Sequence, residues 1–132
     1  MRKGFTIIEA LISMLLLTIT LVGSMAFYFH SQGYFASVNH RRIAVEIASA
    51  ELEDIKTDGY TAIPAAGAWT VRATKLTQRL SAGAIGGMPG WGEIYVIDNS
   101  GGYKEVTVTI FWNQPGKSTV QEVTLDTYIA PR

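Results

Sequence analysis

Residues 10–29 read ALISMLLLTITLVGSMAFYF, a run of twenty residues without a charged side chain. A helix of this length rises roughly 30 Å, about the hydrocarbon thickness of a bilayer. Arg2, Lys3 and Glu9 are the only charged residues ahead of the run. The pattern predicts a transmembrane segment at about 10–29, followed by a soluble part of about a hundred residues.

The bulk composition excludes several classes of function. The chain has 132 residues, enough for one domain, with eleven basic and eleven acidic side chains and no cysteine. Nucleic-acid-binding proteins normally carry an excess of basic residues, so no nucleic-acid partner is predicted. The lack of cysteine excludes a disulfide framework and thiol chemistry, but it leaves the compartment open.

Two general interpretations of the N-terminus leave residues unexplained. A secretory signal peptide would use the small residues around Ala26 for cleavage, but the apolar run exceeds the usual core of about 7–15 residues. A plain signal anchor explains Arg2 and Lys3, which the positive-inside rule keeps in the cytoplasm. It does not explain Glu9, because a carboxylate near the start of a membrane helix is costly and usually has a partner.

Residues 2–9, RKGFTIIE, resemble the signature of type IV pilin precursors: a short basic leader, glycine, phenylalanine, and glutamate as the fifth residue of the mature chain. The resemblance implies that prepilin peptidase, a membrane-embedded aspartyl peptidase, cleaves between Gly4 and Phe5. The same enzyme would then N-methylate Phe5. Residues 1–4 would be the leader peptide, and the hydrophobic helix would remain in the mature protein.

The resemblance also implies a role for Glu9 in subunit assembly. Cleavage creates an α-ammonium group at Phe5, which in this family is met by the glutamate of a neighbouring subunit. Opposite charges attract far more strongly in a low-dielectric environment than in water. The alternative is that Glu9 only occupies the first helical turn, where the helix dipole favours an anion.

A single helix is predicted to continue beyond the membrane segment. No proline precedes Pro64, while Lys56 and Gly59 are stop signals, so the helix is expected to end at about Lys56. Aromatic residues at 27–35 are predicted to form an interfacial belt. An apolar stripe is predicted at Val38, Val45, Ala48, Leu52 and Ile55, with Glu46, Glu51, Glu53 and Asp54 on a solvated face.

The remainder of the chain is predicted to be rich in β-structure. Residues 68–74 are expected to be extended, and the glycine-rich residues 80–92 to form a mobile loop. Strands are predicted at 91–97, 103–112 and 119–129. The last two would form an antiparallel hairpin around a turn at 113–117, with Val106, Val108, Ile110 and Trp112 on one face of its first strand and Val123, Leu125 and Ile129 on one face of its second.

These elements predict an α+β, pilin-like fold: a long N-terminal helix, transmembrane in its first half and amphipathic in its second, packed on a small antiparallel β-sheet. The predicted division is a leader at 1–4, the helix at 5–57 and a β-rich domain at 58–132. The hairpin is similar to the C-terminal part of minor pilins, and also to the I-class minor pseudopilin of type II secretion.

No catalytic or cofactor site is predicted, and the protein is not expected to be an enzyme. His30 and His40 are spaced unlike a metal-binding pair at i and i+4. Residues 98–102, DNSGG, offer oxygen ligands but lack the full ligand series of a calcium loop. A β-turn explains them without a metal, so neither a metal nor another cofactor is predicted.

The resemblance implies a minor pilin that takes part in type IV pilus assembly. The soluble part is small, and both the cysteine pair and the helix-kinking proline of many major pilins are missing. The implied partners are prepilin peptidase, other pilin subunits through the N-terminal helix, the bacterial inner membrane and the pilus assembly machinery. The implied location is single-pass in that membrane with a periplasmic C-terminal domain, then the filament.

Two alternatives to the minor pilin remain open. One is a minor pseudopilin of a type II secretion system, whose short filament moves folded proteins across the outer membrane. The other is an anchored binding module that uses the glycine-rich residues 82–90 as its contact surface. Deleting that segment without loss of adhesion and DNA uptake would remove the second alternative.

Overall fold

The computed structural model of the protein describes residues 6–99, 101–115 and 118–131. The chain divides after Ala36 into two compact units. Its elements, in chain order, are α1 (Ile7–Asp58), a 3-10 turn (Tyr60–Ala62), β1 (Gly67–Ala68), α2 (Thr70–Ser81), β2 (Gly90–Asn99), β3 (Tyr103–Asn113) and β4 (Val120–Ile129). The predicted α+β class, with a long N-terminal helix and an antiparallel sheet, is confirmed.

The long helix ends close to its predicted stop signals. Lys56 lies in the last turn of α1, where a cation complements the negative end of the helix dipole. The amide of Gly59 still donates to the Ile55 carbonyl, at 3.3 Å. Gly59 itself has φ +84°, a left-handed conformation that favours glycine, and the chain therefore leaves the helix here.

The sheet is an antiparallel meander in the order β1-β2-β3-β4. Its strands alternate between buried and exposed side chains, and the predicted faces of the last two strands are confirmed. The buried apolar side chains from β2, β3 and β4 are Ile94, Val96, Val106, Val108, Ile110, Trp112, Val123 and Ile129. One face of the sheet is therefore apolar and must be covered.

The second half of α1 and one face of α2 cover that side of the sheet. The helix residues in the core are Ala44, Ala48, Leu52 and Ile55 from α1, with Leu76 and Leu80 from α2. The predicted stripe is wrong at Val38 and Val45, which are 49% and 36% exposed. Ala44 takes the buried position in place of Val45, and consecutive residues point about 100° apart around a helix.

The prediction of an extended segment at 68–74 is wrong beyond its first residue. Only Gly67–Ala68 form a strand, and α2 begins at Thr70. Leu76 and Leu80 lie one turn apart and are both buried. Burial of this apolar stripe outweighs the modest helix propensity of the threonines and valine that misled the sequence-based prediction.

The glycine-rich loop is also shorter than predicted. Residue 81 still belongs to α2 and β2 begins at Gly90, so the loop spans only 82–89. Ile85 and Met88 from this loop are buried in the core. Deleting residues 82–90 would remove both side chains, and the experiment would then report on folding as well as on binding.

Gly92 allows α2 to approach β2 closely. The Thr77 hydroxyl accepts from the Gly92 amide at 3.0 Å and donates to the Gly92 carbonyl at 3.2 Å. A Cβ atom on Gly92 would lie 2.7 Å from Leu76 Cγ. The side chain of Leu76 is only 1% exposed and is held by its neighbours, so it has little room to move aside.

The Gly92→Ala variant is therefore expected to lose about 1–3 kcal/mol of unfolding free energy through overpacking. Urea denaturation of the full chain in detergent, followed by circular dichroism, would measure the loss. Gly33→Ala is the matched control, because no atom lies within 4 Å of the Cβ position there. Equal stability of the two variants would contradict the close packing of α2 on β2.

Candidate functional site

The helix α1 begins with a side-chain cap. Thr6 immediately precedes the first helical residue, and its hydroxyl accepts from the Glu9 amide at 3.3 Å. The Thr6 carbonyl also accepts from the amides of Glu9 and Ala10, each at 3.1 Å. Thr-x-x-Glu before an apolar run is a capping-box sequence, a signal that the sequence analysis did not use.

Glu9 occupies the first turn of α1 with an exposed side chain. The anion is favoured there by the positive end of the helix dipole. Among the described residues, no hydrogen bond or salt bridge involves its carboxylate. The described residues therefore leave this carboxylate available to a partner from another molecule.

The segment that follows Glu9 has the properties of a membrane span. By length and composition α1 could cross a membrane, and none of the residues in its apolar part is buried. The hydroxyls of Ser13, Thr18, Thr20 and Ser24 each donate to the carbonyl four residues earlier, at 2.7–2.8 Å. These four hydroxyls then require no water, as a hydrocarbon environment demands.

A second polar cluster joins α1 to α2, and it corrects the prediction for Glu51. This carboxylate was expected on a solvated face, but Glu51 is 5% exposed and accepts from Arg72 Nε at 2.5 Å. Arg72 also donates to Asp58, and Arg79 donates to Glu51 at 3.3 Å. The cluster borders a cavity of about 380 Å³, which Trp69 and Lys75 help to line.

Arg72 remains charged in this cluster. Burial alone would lower the pKa of its guanidinium group, but hydrogen bonds to Glu51 and Asp58 and their negative charges raise that pKa above its ordinary value. The guanidinium also lies over the Trp69 ring, 5.3 Å from the centroid. The contacts of Arg72 therefore hold α2 against α1.

The residues considered for metal binding are not brought together. Over residues 6–99, 101–115 and 118–131, no group of three or more His, Cys, Asp or Glu side chains could hold a metal ion. His30 and His40 both lie on α1. Between β2 and β3 the Gly102 amide donates to the Asn99 carbonyl at 3.0 Å, which closes a turn in the segment considered for calcium.

Gly4 and Phe5, the predicted cleavage and methylation residues, lie outside the described residues. The prokaryotic N-terminal methylation motif matches residues 1–25, a range that contains Gly4, Phe5, Glu9 and the first part of the apolar run. The chain carries the type IV pilin signal. The predicted resemblance to type IV pilin-like proteins is thereby confirmed.

The pilin signal has direct consequences for function. It supports processing by prepilin peptidase, and with the apolar α1 it supports membrane anchoring and assembly with other pilin subunits. It points to a structural protein, not an enzyme. Neither the curated proteins nor the solved structures contain a match to this pilin-like chain.

Proposed function

We propose that this chain is a minor pilin of a type IV pilus. Its leader, residues 1–4, is removed by cleavage between Gly4 and Phe5, and Phe5 becomes the methylated N-terminus. Residues 5–57 form the helix by which the subunit joins the filament, and residues 58–132 form the globular domain. The methylation motif at residues 1–25 is the observation that supports a processed pilin. The choice of a minor pilin rests on the small soluble part, which lacks a cysteine pair.

The chemistry of Glu9 supports its role in assembly. Removal of the leader places an α-ammonium group four residues before Glu9, at the edge of an apolar segment. A neighbouring subunit that is displaced along the filament axis can bring its Glu9 to that ammonium group, where the low dielectric strengthens the attraction.

The charge distribution supports a defined orientation in the membrane. Arg2 and Lys3 precede the apolar segment, and the positive-inside rule holds such residues in the cytoplasm. The globular domain then lies in the periplasm before assembly. Because the cut falls ahead of the apolar segment, processing leaves the anchor in place and the subunit waits in the inner membrane for the assembly machinery.

The deciding experiment is the mass and N-terminal sequence of the chain purified from its native membrane, with and without prepilin peptidase. We expect a chain that begins at methylated Phe5 only when the peptidase is present. The Ala26→Leu variant is the matched control, because it blocks conventional signal-peptide cleavage and should leave this processing unchanged. A chain that retains Met1, or one cut after Ala26, would contradict the proposal.

The type of filament is decided by a separate observation. Copurification of the processed chain with components of a pilus tip supports a minor pilin. Copurification with a secretion channel would instead make it a minor pseudopilin of type II secretion. Both outcomes retain processing between Gly4 and Phe5, so this result and the mass measurement answer different questions.

A further inference from the structure

The two edges of the sheet differ in how their backbone groups are satisfied. On the β2 side, Gly67 and Ala68 pair with Val96 and Tyr95, and the Trp69 amide donates to the Ile94 carbonyl at 2.8 Å. Thr77 then satisfies both backbone groups of Gly92. This edge is closed by β1 and α2. The strand β4 forms the opposite edge, and no described residue forms a strand beyond it.

The pairing of β2, β3 and β4 determines which backbone groups of β4 point away from the sheet. Gly92 turns its amide and carbonyl away from β3, so its partner Ile110 turns both groups towards β4 and bonds with Val123. In alternate residues of β4, the backbone amide and carbonyl must then point away from β3. These residues are Glu122, Thr124, Asp126 and Tyr128, and their amides and carbonyls have no backbone partner among the described residues.

The charged side chains on the solvent face of the three long strands have one sign. Side chains on the solvent face of β2, β3 and β4 include Glu93, Glu105, Glu122 and Asp126. No solvent-face position of these three strands carries Lys or Arg. The Tyr128 hydroxyl lies 3.3 Å from Glu105 Oε1, and the negative charge of Glu105 raises the pKa of Tyr128, with smaller contributions from desolvation and Asp126. A partner that pairs with β4 meets a negative field.

We propose that the open edge of β4 docks an extended segment of another protein, one with lysine or arginine at positions i and i+4. Such a segment would add a fifth strand through backbone hydrogen bonds. Its two basic side chains would lie opposite Glu122 and Asp126, with a β-branched residue opposite Thr124. The intervening residues would be apolar, because they would extend the core face beside Val123 and Leu125, which are buried and half-buried.

The same charges disfavour pairing of β4 with a second copy of this chain. Antiparallel self-pairing centred on Thr124 would place Glu122 of each copy opposite Asp126 of the other. Like charges directly opposite each other in a sheet are destabilising. It would also join two solvent faces that both carry only acidic charges. The edge therefore selects a basic partner and rejects its own copy.

The experiment uses the full processed chain in detergent and the synthetic peptide TKVTVKT as the probe. We expect saturable binding that shifts the NMR amide signals of Glu122, Thr124, Asp126 and Tyr128. The peptide TEVTVET, and a TKVTVKT peptide with methylated backbone nitrogens, should not bind. Absence of binding by TKVTVKT, or equal binding by its methylated form, would overturn the proposal.

Two pairs of variants separate charge from strand addition. Glu122→Gln with Asp126→Asn should weaken binding about tenfold, whereas Glu93→Gln with Glu53→Gln removes equal charge away from the edge and should change it little. Thr124→Pro removes an outward amide, a change that edge strands tolerate, and should abolish binding that Thr124→Val retains. Equal effects within either pair, or a dimer of the chain crosslinked through β4, would contradict the proposed docking mode.

Discussion

Replacing Glu9 with alanine is expected to leave a processed, methylated chain in the membrane and to remove it from filaments. Glu9 has no partner among the described residues of its own chain, so the loss should not disturb the monomer. In the filament it would strand the Phe5 ammonium group of a neighbour in an apolar environment. Breaking a buried ion pair in this way costs about 3–5 kcal/mol, which corresponds to a loss of about 100-fold or more in incorporation.

The measurement is the ratio of this chain in sheared filaments to this chain in membranes, determined by immunoblotting. Glu46→Gln is the matched control, because Glu46 is an exposed acid on the same helix beyond the apolar segment. Glu9→Gln tests whether the charge itself is needed, since glutamine keeps the size and the polarity. Normal incorporation of either Glu9 variant would show that Glu9 serves only the first helical turn, through its dipole.

Local patterns in the sequence were sufficient for most of the fold. A continuous helix from the membrane segment to Asp58 follows from the absence of proline and from the stop signals at Lys56 and Gly59. The alternation of Val106, Val108, Ile110 and Trp112 fixes one face of β3, because side chains in a strand point alternately to opposite faces. The pilin signal in residues 2–9 could be recognised without any knowledge of the fold. Cleavage and methylation depend only on which residues are present and how they are spaced.

Features that depend on distant contacts were missed. The sequence of α2 is rich in threonine and contains no alanine-rich or charged repeat, so propensity gives little signal. The available signal was the spacing of Ala73, Leu76 and Leu80, which places all three on one helical face. Burial of Glu51 could not be predicted either, because its partners Arg72 and Arg79 are presented by that unpredicted helix.

The Arg72→Ala variant is expected to lose about 2–3 kcal/mol of unfolding free energy. The side chain of Arg72 is only 17% exposed and bridges Glu51 on α1 to Asp58 at its end. Its removal leaves the Glu51 carboxylate, 6% exposed, with Arg79 as its remaining partner at 3.3 Å. A buried charge that loses its main partner is costly. The remaining Glu51–Arg79 pair should keep the loss of unfolding free energy below the upper end of the range for broken buried ion pairs. Urea denaturation of the full chain in detergent, followed by tryptophan fluorescence, would measure the change.

Two controls distinguish a buried ion pair from simple packing. Arg79→Ala removes the same charge from a side chain that is 61% exposed, and such pairs contribute about 0–1 kcal/mol. The double variant Glu51→Leu with Arg72→Met should recover most of the stability lost in Arg72→Ala, because apolar residues of similar volume remove the stranded carboxylate. If Arg72→Ala and Arg79→Ala are equally stable, the carboxylate of Glu51 does not depend on Arg72, and α2 is held on α1 by its apolar face alone.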